Sequence, residues 1–507
     1  MTIDGVSGRT SYIGTSILNL RSQLDGLSQQ LASGKKSTTY SGLGIDSSVA
    51  TGLRSQISML AGYANTATNV NTRINVVNLA LQGIADAASS TKTAASGSSL
   101  TLDNNGQTAG QQTAYANFTQ AVALLNSQSG DRYLFSGRAS DTPSTASADE
   151  ILNGTTALAG LKQVIDERRM ADQGTGYMGR LQTTQSGPSV SVNEDATGSV
   201  FGLKLASIST TIAGASVTQP PNPPPVSPSP PSAMAVNLTT NANVGDKVTF
   251  TFSLPDGTSE SIQLTATTDS PAPDGSFTIG ADPDATAAGI KTSLDKSIQN
   301  LARGPLVAAS AMAASDNFFD DPPQRVYTGA PATGFADATG LRNGSADTVT
   351  WYTGESGTDS ARGTAVVGID QSITVQYGAR ANEDALRSAL QVVATYAAVT
   401  TVNDSYANSQ MTALNQRVGD ALAVKPGVQS IQDIQADFAG AQTAVKAATT
   451  RQTQTTSIAK TMLDSIEGVS DEEVASKILA LQTSLQAAYQ TTSSLYQLSL
   501  LKYLPVG

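Results

Sequence analysis

Histidine and cysteine do not occur in this 507-residue chain, tryptophan occurs once, and aromatic residues make up 5%. Each absence removes chemistry. Without cysteine there is no disulfide framework and no thiolate nucleophile, and with histidine gone too there is no Cys/His zinc site. Ser-His-Asp and Cys-His catalysis are excluded for the same reason. Charged residues are sparse at 14% and lean acidic, 41 Asp and Glu against 30 Lys and Arg, for a formal net charge of −11. Counterion release needs clustered Lys and Arg, so neither nucleic acid nor an anionic membrane is expected as a partner. No apolar stretch approaches the ~18 residues of a membrane span. The opening M-T-I-D-G-V-S-G-R-T lacks the charged and apolar regions of a secretory signal. That predicts a cytoplasmic protein or one exported without a cleaved signal.

What the chain does have is helical periodicity at both ends. From Ser470 to Leu504, Val474, Ile478, Leu481, Leu485, Ala488, Thr492 and Leu495 step alternately by four and three, with Leu498 continuing the row. Such a heptad seam keeps facing one partner helix along its length. Ser470 with Glu473 reads as a capping box, Asp471 and Glu472 suit the positive end of the helix dipole, and Pro505 and Gly507 stop the pattern. Near the other end, Ile13, Ile17, Leu20, Leu24, Leu27 and Leu31 keep the same alternation. The expectation is that the two ends zip together as an antiparallel coiled-coil rod. Full burial of an aliphatic side chain is worth ~1.5–3 kcal/mol, so a dozen seam positions would outweigh any single loop contact. The competing reading is two amphipathic helices in an ordinary bundle.

In order, the chain reads as an unordered start to about Gly8, a helix from about Ser11 to Ser33 closed by Gly34, and a loop from Lys35 to Asp46. A long helix from about Ser47 to Ala95 follows, its apolar row running from Val49 through Leu53, Ile74 and Ile84. A third spans about Gln111 to Gln128, and three such helices predict an all-α antiparallel array. Tyr133-Leu134-Phe135 reads as a short strand or hairpin capping the array, or simply as a buried turn. Leu152 to Arg180 is helix-compatible. Thr218 to Ser232, T-Q-P-P-N-P-P-P-V-S-P-S-P-P-S, reads as a polyproline spacer between domains, preferred over an SH3-type ligand because no Arg or Lys flanks it. Strands are predicted over Lys247–Leu254 and Ser259–Ala266 around an Asp256-Gly257 turn, then Ser276–Gly280, then a helix over Asp284–Leu301. Asp284 is read as its N-cap, since Asp282 and Asp284 lack the Gly and distal Glu of a calcium loop. Val326 to Tyr377 reads as strand-rich, helices resume from Leu386 to about Val424, and another runs from about Ser430 to Glu467.

The fold class is therefore multidomain, α plus α+β: a helical rod formed by both termini with β-rich domains inserted in the middle. The expected boundaries are 1–145 and 383–507 for the rod halves, 146–217 for a transition, 218–232 for the linker, 233–305 for an α+β module and 306–382 for a β-rich outer domain. Trp351 and Tyr352 are read as a core-anchoring pair ahead of a ligand platform. Catalysis in the middle would have to rest on carboxylates such as Glu355, Asp359 and Asp370, or on a Ser-Lys dyad, and is the remote alternative. No catalytic, cofactor or metal residue is assigned.

Three stretches carry a family resemblance: L-S-Q-Q-L-A-S-G-K-K near the start, G-D-R-Y-L-F-S-G-R-A-S-D-T-P at Gly130–Pro143, and S-L-Q-A-A-Y-Q-T-T-S-S-L-Y-Q-L-S-L-L-K-Y-L at the end. The chain resembles the bacterial flagellin superfamily, and within it the hook-associated branch, over roughly its first 145 and last 125 residues. In the middle, W-Y-T-G-E-S-G and Q-Y-G-A-R-A-N resemble members with an enlarged outer domain. One departure is Ser41-Gly-Leu-Gly-Ile-Asp46, where relatives carry a Ser-Asp-Asp-Pro-type turn. The resemblance implies an extracellular structural subunit of the flagellum between the hook-associated ring and the filament, exported unfolded by the flagellar type III route. Its implied partners are copies of itself, a neighbouring hook-associated protein, flagellin, and an export chaperone on the C-terminal helix. The same-class alternative is filament flagellin.

Overall fold

The computed structural model describes residues 4–97, 99–329 and 334–501, with side chains for residues 11–497 within those spans. Helix α1 (Asp4–Ser33) leads through a 3-10 segment to α2 (Ser47–Gly97) and then α3 (Ala109–Leu125). A small hairpin follows, β1 (Gln128–Ser129) with β2 (Arg132–Tyr133), then α4 (Ala148–Asn153) and α5 (Leu161–Gln173). Eight strands come next: β3 (Leu181–Ser186), β4 (Ser189–Glu194), β5 (Lys204–Thr210), β6 (Ala215–Thr218), β7 (Ala233–Leu238), β8 (Lys247–Ser253), β9 (Ser259–Thr267) and β10 (Ser276–Thr278). After α6 (Pro283–Arg303) and α7 (Pro305–Phe319) come two short pairs, β11 (Gln324–Tyr327) with β12 (Gly340–Asn343) and β13 (Val366–Gly368) with β14 (Thr374–Gln376). The described chain closes with α8 (Asp384–Ala398), α9 (Ala407–Ala421), α10 (Ile431–Glu467) and α11 (Asp471–Leu501). The molecule is thus helix-rich with several small sheets.

Two compact units divide it. A terminal unit gathers the residues up to Asn71, the hairpin tip Val367–Val375 and the residues from Gln442 on; a middle unit holds Thr72–Val366 and Gln376–Ala441. In the terminal unit α1 packs along α11. In the middle unit the later part of α2 lies antiparallel on α3: Gly83 meets Leu124, and Asn117 donates to Thr91 Oγ1 at 3.0 Å. The sheets β3-β4-β7-β6 and β10-β9-β8-β5 share one core with α6, in which Val190, Val236, Phe250, Phe252, Phe277 and Ile290 are fully buried. Strand alternation does this work: Val248, Phe250 and Phe252 point one way along β8 while Thr249 and Thr251 point the other.

Several expectations need correcting. The proline run is not a spacer between domains: it connects β6 and β7, adjacent antiparallel strands of one sheet. The 146–217 and 233–305 segments accordingly share one core, because β4 pairs with β7 and β5 with β8. Residues 306–382 are not chiefly β. They begin with α7, P-L-V-A-A-S-A-M-A-A-S-D-N-F-F, which packs against α5, α6, α8 and α9 and is buried on nearly every side. A helix covered all round carries no amphipathic period to read. The helix at Pro283–Arg303 is capped by Asp282, which accepts from Ala285 N at 2.8 Å, leaving Asp284 in the first turn. Leu152–Arg180 is two helices broken at Gly154 and Gly160, whose close backbone contact leaves no room for a Cβ. Leu386–Val424 is also two, because Thr401 N leaves the helix to donate to Gly106 O at 2.9 Å. Helix α1 starts at Asp4 rather than near Ser11. On α2 Val49 is 48% exposed, and Ala50 faces inward instead.

Candidate functional site

The end of α1 and the start of α11 meet at a corner built from two glycines. Helix α1 ends at Gly34, which takes a left-handed φ of +66° that a side chain would resist. Between α10 and α11 lies Gly468, where a Cβ would fall 2.4 Å from the Asp464 carbonyl oxygen. The corners are bonded: Val469 N donates to Gly34 O at 3.2 Å and Lys36 N to Glu467 O at 2.7 Å. Because α1 ends where α11 begins, the two helices run antiparallel as they pack. Glu467 locks the corner. Its carboxylate accepts from Arg54 Nε at 2.9 Å and Nη2 at 2.6 Å, with Lys35 Nζ at 3.4 Å, and its side chain is only 6% exposed. The bond from Arg54 is the main reason its pKa lies below the usual glutamate value, against the opposing effect of burial. At the start of α11, Glu473 N donates to Ser470 Oγ at 3.3 Å, while the Ser470 hydroxyl turns to Glu472.

The predicted seam falls on the inner stripe of both helices. Ile13, Ile17, Leu20, Leu24 and Leu27 are half-buried on α1, as are Ile478, Leu481 and Leu485 on α11, and Val474 is 3% exposed beside the corner. Two positions leave the stripe: Leu31 is 41% exposed, its place taken by Gln30, and Leu495 is also exposed. Gln30 donates to Lys36 O at 2.9 Å, which puts a polar side chain where the corner needs one. The side chain of Leu498 lies outside the described residues. Sequence reasoning missed Arg54, Lys35 and Glu467, since single charges beside a turn carry no pattern.

A second construction sits in the middle unit and joins Y-L-F-S-G with the two middle stretches, W-Y-T-G-E-S-G and Q-Y-G-A-R-A-N, which lie far apart in sequence. Phe135 and Ser136 of Y-L-F-S-G are fully buried. Ala381 N donates to Phe135 O at 2.9 Å, and Gly137 N to Ala379 O at 3.1 Å, so Q-Y-G-A-R-A-N is laced to it. Glu355 N of W-Y-T-G-E-S-G donates to Ser136 O at 3.0 Å, and Ala146 N to Trp351 O at 2.9 Å. Trp351 is buried, donates from Nε1 to Phe319 O at 3.2 Å and lies in tilted ring contact with Phe319 and Tyr352. It anchors a core and presents no open platform. The carboxylates considered for catalysis are spoken for. Glu355 accepts from Arg138 Nη1 at 2.5 Å and Arg138 N at 2.7 Å, Asp359 lies 3.5 Å from the same guanidinium, and Asp370 pairs with Arg451 at 2.9 Å. The backbone bond from Arg138 is the first cause of a lowered Glu355 pKa, the opposite of what a general acid needs.

Among the described residues no helix is long and apolar enough to cross a membrane. No protein-family model matches the chain, and no curated protein matches it.

Proposed function

We propose that this chain is a structural subunit of the bacterial flagellum, most like the hook–filament junction protein, the third hook-associated protein. In this reading the terminal helices form a coiled-coil rod that packs against its neighbours. The partners are other copies in a ring, a neighbouring hook-associated protein on one side, flagellin on the other, and an export chaperone that covers the last helix before assembly. The site of action is extracellular.

One observation carries the reading: the first and last helices lie antiparallel with their seams only half-buried. Two helices cannot enclose a seam between them, and apolar groups left on their outer faces, Leu18, Leu479, Tyr489 and Tyr496, add to what a neighbour would cover. The absence of cysteine suits a chain that must thread a channel unfolded, since no disulfide can lock it beforehand.

Leu24→Asp or Leu485→Asp is expected to abolish assembly and motility while the middle unit stays folded, read by Trp351 fluorescence. Full motility with either change would sink the proposal. Complementation separates the address from the class: rescue of a junction deletion supports the junction reading, and rescue of a filament deletion instead would move the chain to filament flagellin. Labelling on intact cells followed by electron microscopy locates it along the flagellum.

A further inference from the structure

A cleft of about 280 Å³ in the middle unit is walled by Arg73, Arg132 and Arg138, with Tyr133 and Tyr377 beside them, and no carboxylate side chain lines it. Arg138 is answered by Glu355 and Asp359. The other two are not. Arg73 donates to the Tyr377 hydroxyl at 3.3 Å and Arg132 Nε to Ser140 Oγ at 2.9 Å, and among the described residues neither has an acidic partner. Most other described arginines hold carboxylates, as Arg54, Arg168, Arg180, Arg325, Arg417 and Arg451 do, while Arg380 is held by the Gly357 and Asp359 carbonyls. Arg73 is half-buried and Arg132 exposed, and in a chain of net charge −11 two guanidinium groups without acidic partners lining one concavity make a local positive patch that an anion would complement. A guanidinium offers five donors in a planar fork that fits carboxylate and phosphate, and each of these two has donors to spare. Concave walls concentrate the field of such charges on what enters. The cleft falls just below the ~300–1,000 Å³ of pockets for drug-sized ligands, which suits a small anionic group.

We propose that this cleft binds an anionic group, carboxylate or phosphate, held by Arg73 and Arg132. Arg138, fixed by Glu355, shapes the wall without donating its charge. The group arrives either as a small free anion or as an acidic side chain on a partner's surface, and the proposal does not rest on the flagellar reading.

Calorimetric titration of the full chain at low salt with citrate, inorganic phosphate and a hexaglutamate peptide tests it. Saturable binding of at least one is expected, weakening as sodium chloride is added. Binding of citrate or phosphate assigns a free anion, and binding of the peptide alone assigns an acidic side chain. Arg73→Ala and Arg132→Ala are each expected to weaken it at least tenfold, with Arg73→Lys and Arg132→Lys losing less. Arg21→Ala, which removes an exposed cation from α1, should leave it unchanged. Circular dichroism and Trp351 emission check folding, and the lysine variants keep the comparison open should an alanine variant unfold. Absence of saturable binding by all three probes, undiminished binding in the folded double variant, or an equal loss in Arg21→Ala would overturn the proposal.

Discussion

The terminal and middle units solve the burial problem in opposite ways. In the middle unit, two sheets and a helix close over Phe250, Phe252 and Phe277, and α7 disappears inside a ring of helices. In the terminal unit the helices α1 and α11 lean on each other along a stripe that stays half open, and their corner is secured by charge rather than by apolar bulk. A closed core derives its stability from its own chain. An open seam leaves apolar area that only further contacts can remove from water. The difference teaches that substitutions should act on stability in one unit and on association in the other.

The sharpest way to break that comparison is at Phe250, flanked by Ile208 on β5 and Ile262 on β9. Phe250→Ala is expected to cost ~3–5 kcal/mol through lost burial and the cavity left behind. Urea unfolding followed by Trp351 fluorescence measures it, and Leu24→Asp should leave that transition in place. Equal losses from both changes would mean the two units are one cooperative block.

A smaller effect is expected at the corner. Gly468→Ala sets a methyl 2.4 Å from the Asp464 carbonyl, so the corner must open at a cost of roughly 1–3 kcal/mol. Hydrogen exchange at the Lys36 and Val469 amides, bonded to Glu467 O and Gly34 O, should accelerate while the middle unit's protected amides stay slow. Unchanged protection at those two amides would show that Gly468 is not what holds the corner.

The smallest effect is electrostatic and depends on pH. Bound by Arg54, Glu467 has a folded-state pKa below its ordinary 4.5. The unfolded state therefore takes up the proton first as pH falls. The stabilisation is complete above about pH 4.5 and is lost as pH drops through the folded-state value. Arg54 remains 43% exposed, so solvent screens the pair and about 1 kcal/mol is at stake. Glu467→Gln should lower the terminal unit's protease resistance at pH 7 and flatten its acid dependence, with Trp351 emission unmoved. An acid profile identical to that of the unmodified chain would remove Glu467 as its cause.

Legibility in the sequence followed periodicity. The seams could be read because one face of each helix is apolar, and Gly34 could be read because glycine punctuates helices. The strands β8 and β9 and their Asp256-Gly257 turn were equally plain, with Gly257 at a φ of +78°. α7 escaped because burial on all sides erases the period. The proline run misled because its composition fits a spacer and a hairpin connection equally well, and only the pairing of β6 with β7 distinguishes them. Of the candidate site, the hydrophobic stripe was visible but its charged lock was not.

The sequence by itself determined the helical ends, their 3.5-residue stripes, the alternating strands and the exclusion of histidine and cysteine chemistry, since each depends on residues near one another along the chain. Tertiary structure alone decided that Glu467 would meet Arg54 and Lys35. It alone decided that Y-L-F-S-G, W-Y-T-G-E-S-G and Q-Y-G-A-R-A-N would be laced by backbone bonds, and that Arg73 and Arg132 would share a cleft without an acid. The physical reason is that local propensity is written in spacing, whereas a hydrogen bond or an ion pair between distant residues leaves no mark on either until the chain has closed.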